Sequence, residues 1–110
     1  MPRDATDLLY GTLDVLVLKT LSWGPMHGYG ITTWIEQRTE RELEIVDAAL
    51  YKALHRLEER GAISAEWGLS ENNRKAKYYS LTTKGRRMLR AETDTWKRYV
   101  AAVSRVLETA

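Results

Sequence analysis

The sequence predicts a mainly α fold with a small β-wing, and three observations lead there. Apolar residues recur at helical spacing in four segments, and two short runs flank a polar turn, the first alternating in the strand period. Basic residues concentrate in the middle of the chain. At 110 residues the chain has the length of one domain. Its 44% hydrophobic and 29% charged residues are a globular composition, neither disordered nor fibrous. With no Phe, the 4 Trp and 6 Tyr supply all aromatic bulk, each with a polar tip that needs a partner when buried. So small a core gains from a second subunit covering apolar surface.

Leu8 to Leu21 is predicted as the first helix, with Leu9, Leu13, Leu16 and Val17 in helical register and Gly24-Pro25 breaking the chain after it. The second helix is predicted over His27 to Gln37 with Ile31, Trp34 and Ile35 inward. Gly28 and Gly30 at its start give room for a close backbone or phosphate. Leu43 to Ile45 reads as a short strand. Asp47 reads as the N-cap of a third helix, Ala48 to Arg60, and Gly61 as its terminator. Leu50, Ala53, Leu54 and Leu57 form one face of that helix, while Ala48, Lys52, His55, Arg56 and Glu59 point away.

Ile63, Ala65 and Trp67 alternate with Ser64 and Glu66 as a half-buried strand, and Lys77 to Leu81 is its Tyr-rich partner. The hairpin between them projects Asn72 to Lys75. Thr82 or Thr83 caps a final helix reaching almost to Ala110, with Leu89, Trp96, Tyr99, Val103 and Val106 on one stripe that Met88, Val100 and Leu107 broaden. Trp23, Trp34 and Trp67 read as core or support.

Helix, helix, helix, hairpin, long helix is the order of a winged helix-turn-helix plus a long C-terminal dimerisation helix. Residues 1–81 are assigned to the first part and 82–110 to the second, within one compact domain. Between Asp47 and Arg90 there are ten basic and five acidic residues, while the rest of the chain has seven basic and ten acidic. That local excess fits a polyanion footprint. Lys52, His55 and Arg56 are placed to reach base edges or phosphates from the third helix, and Arg74, Lys75 and Lys77 the flanking backbone or minor groove. His27 reads as a cap or phosphate contact. The Tyr51 hydroxyl is open to either packing or a phosphate.

Other classes find little footing. Without Cys there is no disulfide, thiolate ligand or cysteine nucleophile, and two His alone make no metal set. No phosphate loop, nucleophile elbow or paired catalytic groups are present, so neither an enzyme nor a cofactor is expected. The longest apolar run, Val15 to Leu18, is far short of a membrane span, and no apolar signal core follows Met1-Pro2-Arg3-Asp4. These features predict a soluble, cytoplasmic protein.

His27-Gly28-Tyr29-Gly30-Ile31, then Leu50 to Glu58 (LYKALHRLE), then Lys77 to Gly85 (KYYSLTTKG), together resemble the PadR family of bacterial transcriptional regulators. The likeness runs from about Leu8 to Arg90. It implies a homodimeric repressor on a palindromic operator, with the C-terminal helix against the partner's first helix. The short tail resembles the subgroup with a single C-terminal helix, and some members are released from DNA by small aromatic effectors. Carried onto this chain, the DNA-binding set is His27, Gly28, Tyr29, Tyr51, Lys52, His55, Arg56, Asn73, Arg74, Lys75 and Lys77. The dimer or effector set is Leu9, Leu13, Leu89, Trp96, Tyr99, Val100 and Val103. Two departures stand out: Lys52 where the family often has Pro, and Ala48-Ala49 where it often has Gly and a small hydroxylated residue. Trp96 reads as an anchor of a helix-helix seam ahead of the alternative, a stacking wall for a planar effector. The alternative function is a dimeric helical module that binds protein or an aromatic ligand without DNA.

Overall fold

A computed structural model describes residues 12–110. Among the described residues four helices and three strands succeed one another in the order α1 (Leu13–Leu21), β1 (Met26–His27), α2 (Gly28–Arg38), α3 (Asp47–Glu59), β2 (Ile63–Leu69), β3 (Lys75–Leu81) and α4 (Thr83–Leu107). The strands form one antiparallel sheet ordered β1-β3-β2. The core gathers Leu13, Val17, Leu18 and Leu21 of α1, Ile31 and Ile35 of α2, Leu50, Ala53, Leu54 and Leu57 of α3, and Ile63 and Tyr79 of the sheet. α2 and α3 bury the apolar residues their sequence spacing sets inward, Trp34 of α2 only in part. The part of the first helix placed on Leu8 and Leu9 lies outside the described residues.

Helix ends explain the turns. Gly61 adopts φ +74° after α3, with its N–H donating to Glu58 and that of Ala62 to Leu57 at 3.0 and 2.9 Å. This left-handed cap satisfies the last carbonyls of the helix. α2 ends in the same geometry without a glycine. Glu40 takes φ 51°, and the N–H groups of Glu40 and Arg41 donate to the carbonyls of Gln37 and Glu36 at 3.2 and 2.8 Å. The Glu36 carboxylate then accepts the Ile45 N–H at 3.0 Å, tying the turn between α2 and α3.

Four expectations are corrected. Leu43 to Ile45 is not a strand, because the Ile45 N–H is taken by Glu36 and its side chain turns into the core. The third strand is instead β1, whose Met26 and His27 pair with Tyr79 and Tyr78. Asp47 occupies the first turn of α3 behind Val46, the residue at the cap position, and makes no side-chain cap bond; its charge still favours that helix end. Trp23 and Trp67, expected as core or support, are outside the core at 66% and 64% exposed, each with a lysine ammonium over its ring, Lys19 and Lys75. Trp34 does pack against the core.

Thr82 caps α4. Its hydroxyl accepts the Gly85 N–H at 3.0 Å and lies 2.7 and 2.9 Å from the carbonyls of Gly61 and Ala62. Met88 and Leu89 rest on the core, whereas Trp96, Tyr99, Val100, Val103, Val106 and Leu107 are exposed. The second half of α4 thus carries an apolar face that this chain alone leaves uncovered. No helix among the described residues is long and apolar enough to cross a membrane.

Candidate nucleic-acid interface

α3 buries one face completely, which turns Tyr51, Lys52, His55 and Arg56 to the surface. Its orientation is fixed at the α2 start. A Cβ on Gly28 would sit 2.9 Å from the Tyr51 hydroxyl, so the close approach expected at this glycine is made by Tyr51, and Gly28 itself is buried. Tyr51 is nevertheless 54% exposed: its ring packs and its surface remains accessible. His27 caps α2, with Nδ1 accepting the Gly30 N–H at 2.9 Å. In the neutral ring the proton then resides on Nε2. The His27 ring lies 6.3 Å from that of Tyr29 and 5.3 Å from that of Tyr78, which joins the α2 start to the wing. Tyr29 is 79% exposed.

The wing is longer than its sequence suggests, with pairing from Ile63↔Leu81 out to Leu69↔Lys75. Gly68, Leu69 and Lys75, expected in the loop, belong to its strands. At the tip Asn73 holds φ 60° and its N–H donates to Ser70 at 2.9 Å, so Asn73 shapes the turn that presents Arg74. Lys75 Nζ lies 5.1 Å from the Trp67 ring centre and Lys77 Nζ 5.8 Å from that of Tyr79. Lys77 also stands 3.8 Å from Glu58, bracing the wing against α3. Burial, then the nearby Glu58 and Tyr51, push the Tyr79 hydroxyl above its usual pKa, so it stays protonated.

The cations of α3 differ in their engagement. Lys52 has no ion-pair or hydrogen-bond partner among the described residues, His55 Nε2 is 2.8 Å from Glu59 Oε1, and Arg56 is gripped by Asp14 of α1 at 2.7 Å. That last contact joins residues far apart in the chain and has no signal in the sequence. Behind it lies a groove of about 1000 Å³ between α1, α3 and α4, lined by Leu13, Val15, Ala49, Trp96, Tyr99, Val100 and Val103 as well as Lys52 and Arg56. The structure therefore brings Leu13 together with four residues of the α4 stripe. Leu89 lies apart on the core, and Leu9 is outside the described residues. Among the described residues no His, Asp or Glu cluster is arranged to hold a metal.

Three helices, a two-stranded wing projecting from a small sheet, and a long trailing helix define a winged helix-turn-helix domain of the transcription-regulator class. The chain belongs to the family described as "Transcriptional regulator PadR-like family", which matches residues 17–91. It is therefore counted among transcriptional regulators and not among enzymes. A transcriptional regulator from Clostridium thermocellum is similar at a TM-score of 0.83 and 26% identity, over 94% of this chain and 97% of that one. A PadR family regulator from Eggerthella lenta gives 0.80 and 32%, over 94% and 88%. Bacillus subtilis PadR, solved in complex with operator DNA, shares the fold at 0.66 and 23%, over 74% of this chain and 46% of that one.

Proposed function

We propose that the protein is a homodimeric repressor that binds a palindromic operator in the bacterial cytoplasm. The observation that carries this reading is the surface of α3: one face wholly in the core, the other presenting Tyr51, Lys52 and His55 beside a basic wing tip. An α-helix so displayed fits the B-DNA major groove. Lys52 and His55 supply base or phosphate contacts there. His27 Nε2, Tyr29 and Tyr51 meet the backbone beside the α2 start, and Arg74, Lys75 and Lys77 meet it from the wing, with Asn73 and Gly28 shaping the surface. Residues 1–81 act as the DNA-binding unit and 82–110 as the dimerisation helix.

The uncovered stripe of α4 and the open groove beside it support dimerisation: a partner's helix laid there removes Trp96, Tyr99 and Val103 from water. A dimer sets two α3 helices about one DNA turn apart, ~34 Å. A planar aromatic effector stacking on Trp96 in that seam releases the operator.

Fluorescence anisotropy tests the reading on labelled DNA from the protein's own upstream region, with scrambled DNA alongside and salt varied. Tighter binding to the upstream fragment that weakens steeply with salt is the expected result. Absence of binding to any DNA at low salt removes it in favour of a ligand-binding module.

A further inference from the structure

One cation on the surface of α3 is held by the fold. Arg56 donates from Nη2 to Asp14 Oδ1 at 2.7 Å and from Nε to Oδ2 at 3.5 Å. This two-point grip links α3 to α1. The hydrogen bond to Asp14 raises the Arg56 pKa further, so the guanidinium stays charged. Asp14 is largely covered while Arg56 is half exposed. Arg56 also borders two surfaces: the α1/α3/α4 groove, beside Trp96, and the outer patch it shares with Tyr51, Lys52 and His55. It therefore stands within reach of the DNA-facing side yet has its charge answered from behind.

We infer that Asp14 is a charge lock on the DNA-reading helix, withholding Arg56 from DNA while the two are paired. The inference rests on the DNA-binding reading above. Opening the pair adds one cation to the interface. The lock is light, because water screens a half-exposed pair and side-chain entropy opposes it; a displacement of α1 is enough to open it. Asp14 lies between Leu13 and Val15, both of which line the groove. A partner helix that fills that groove on dimerisation and shifts α1 is thereby reported to Arg56. Asp14 is thus a positioning residue that never touches DNA.

A double-mutant cycle on the full chain tests this, with wild type, Asp14→Asn, Arg56→Ala and the double variant titrated against upstream DNA at several salt concentrations. Circular dichroism checks that each is folded. Asp14→Asn is expected to tighten binding ~2- to 5-fold, the range a weak exposed pair supports. It also steepens the log–log salt slope by about 0.9, one extra phosphate neutralised. In the Arg56→Ala background the same substitution changes affinity less than about 2-fold, since no guanidinium remains to release. Equal gains in both backgrounds make Asp14 a distant charge and overturn the lock, and weaker binding by Asp14→Asn overturns it too. A second readout needs no DNA. The Arg56 Nη–H signals in low-temperature NMR are expected to show slowed solvent exchange and hindered rotation in the wild type and to lose both in Asp14→Asn; free rotation and exchange in the wild type overturn the pairing itself. If none of the four proteins binds DNA, the DNA-binding reading fails and takes the lock with it. Wild-type binding without coupling sinks the lock alone.

Discussion

Glu40 and Gly61 occupy the same left-handed position after successive helices of the helix-turn-helix unit. An L-residue there costs roughly 1–2 kcal/mol relative to glycine, offset in part by the entropy glycine loses on folding, about 0.5–1 kcal/mol. Glu40→Gly is therefore expected to stabilise the fold by about 0.5–1 kcal/mol, read as a raised denaturation midpoint. A lowered midpoint contradicts the assigned backbone. Gly85 is the opposite case. A Cβ there would collide with the Ala62 carbonyl oxygen and sit 2.8 Å from Leu81 Cδ1, at the corner where Thr82 pins α4 to the end of α3. Gly85→Ala should cost about 2 kcal/mol or more, typical of overpacking with little freedom to relax; unchanged thermal unfolding would show that this corner is looser than described. The two turn positions also mark what can be read at this scale. Gly61 announces its turn by its residue type, whereas Glu40 gives no such sign, because its conformation is imposed by the carbonyls of Glu36 and Gln37 and by the turn into α3. Asp14 and Arg56 are equally silent, since their meeting depends on how α1 crosses α3.

α3 was legible in its apolar spacing: Leu50, Ala53, Leu54 and Leu57 can face only one way, and that fixes Lys52 and His55 outward. The wing was legible in its alternation but not in its extent. Trp67 has the phase of an inward residue, yet the core stops at Ala65 and Tyr79, so alternation alone set its face and not its burial. β1 was invisible for a different reason: two residues carry no periodicity, and the strand exists only because Tyr78 and Tyr79 offer an edge to Met26 and His27. In α4 the stripe was legible throughout, while its division into a covered half and an uncovered half emerged only from the packing. That uncovered half gives a prediction. Val103→Glu places a charge in the proposed seam and should shift sedimentation from dimer to monomer while α4 remains helical. A variant that sediments like the wild type removes this stripe from the interface.

The whole molecule measures 56 × 30 × 21 Å, a long shape set by α4 extending past a domain whose core lies among the other elements. The basic excess between Asp47 and Arg90 includes the α3 and wing surface, while a run of exposed apolar residues from Trp96 to Leu107 belongs to α4. The proposed two-fold dimer through α4 would join these into one device, with two α3 helices presented to one face of DNA. Hydroxyl-radical footprinting of the full-length protein on its own upstream DNA tests that claim most directly. The account predicts two symmetric protected patches about one helical turn, 10–10.5 base pairs, apart, each flanked by wing protection. A single isolated patch, or uniform protection without boundaries, would contradict it.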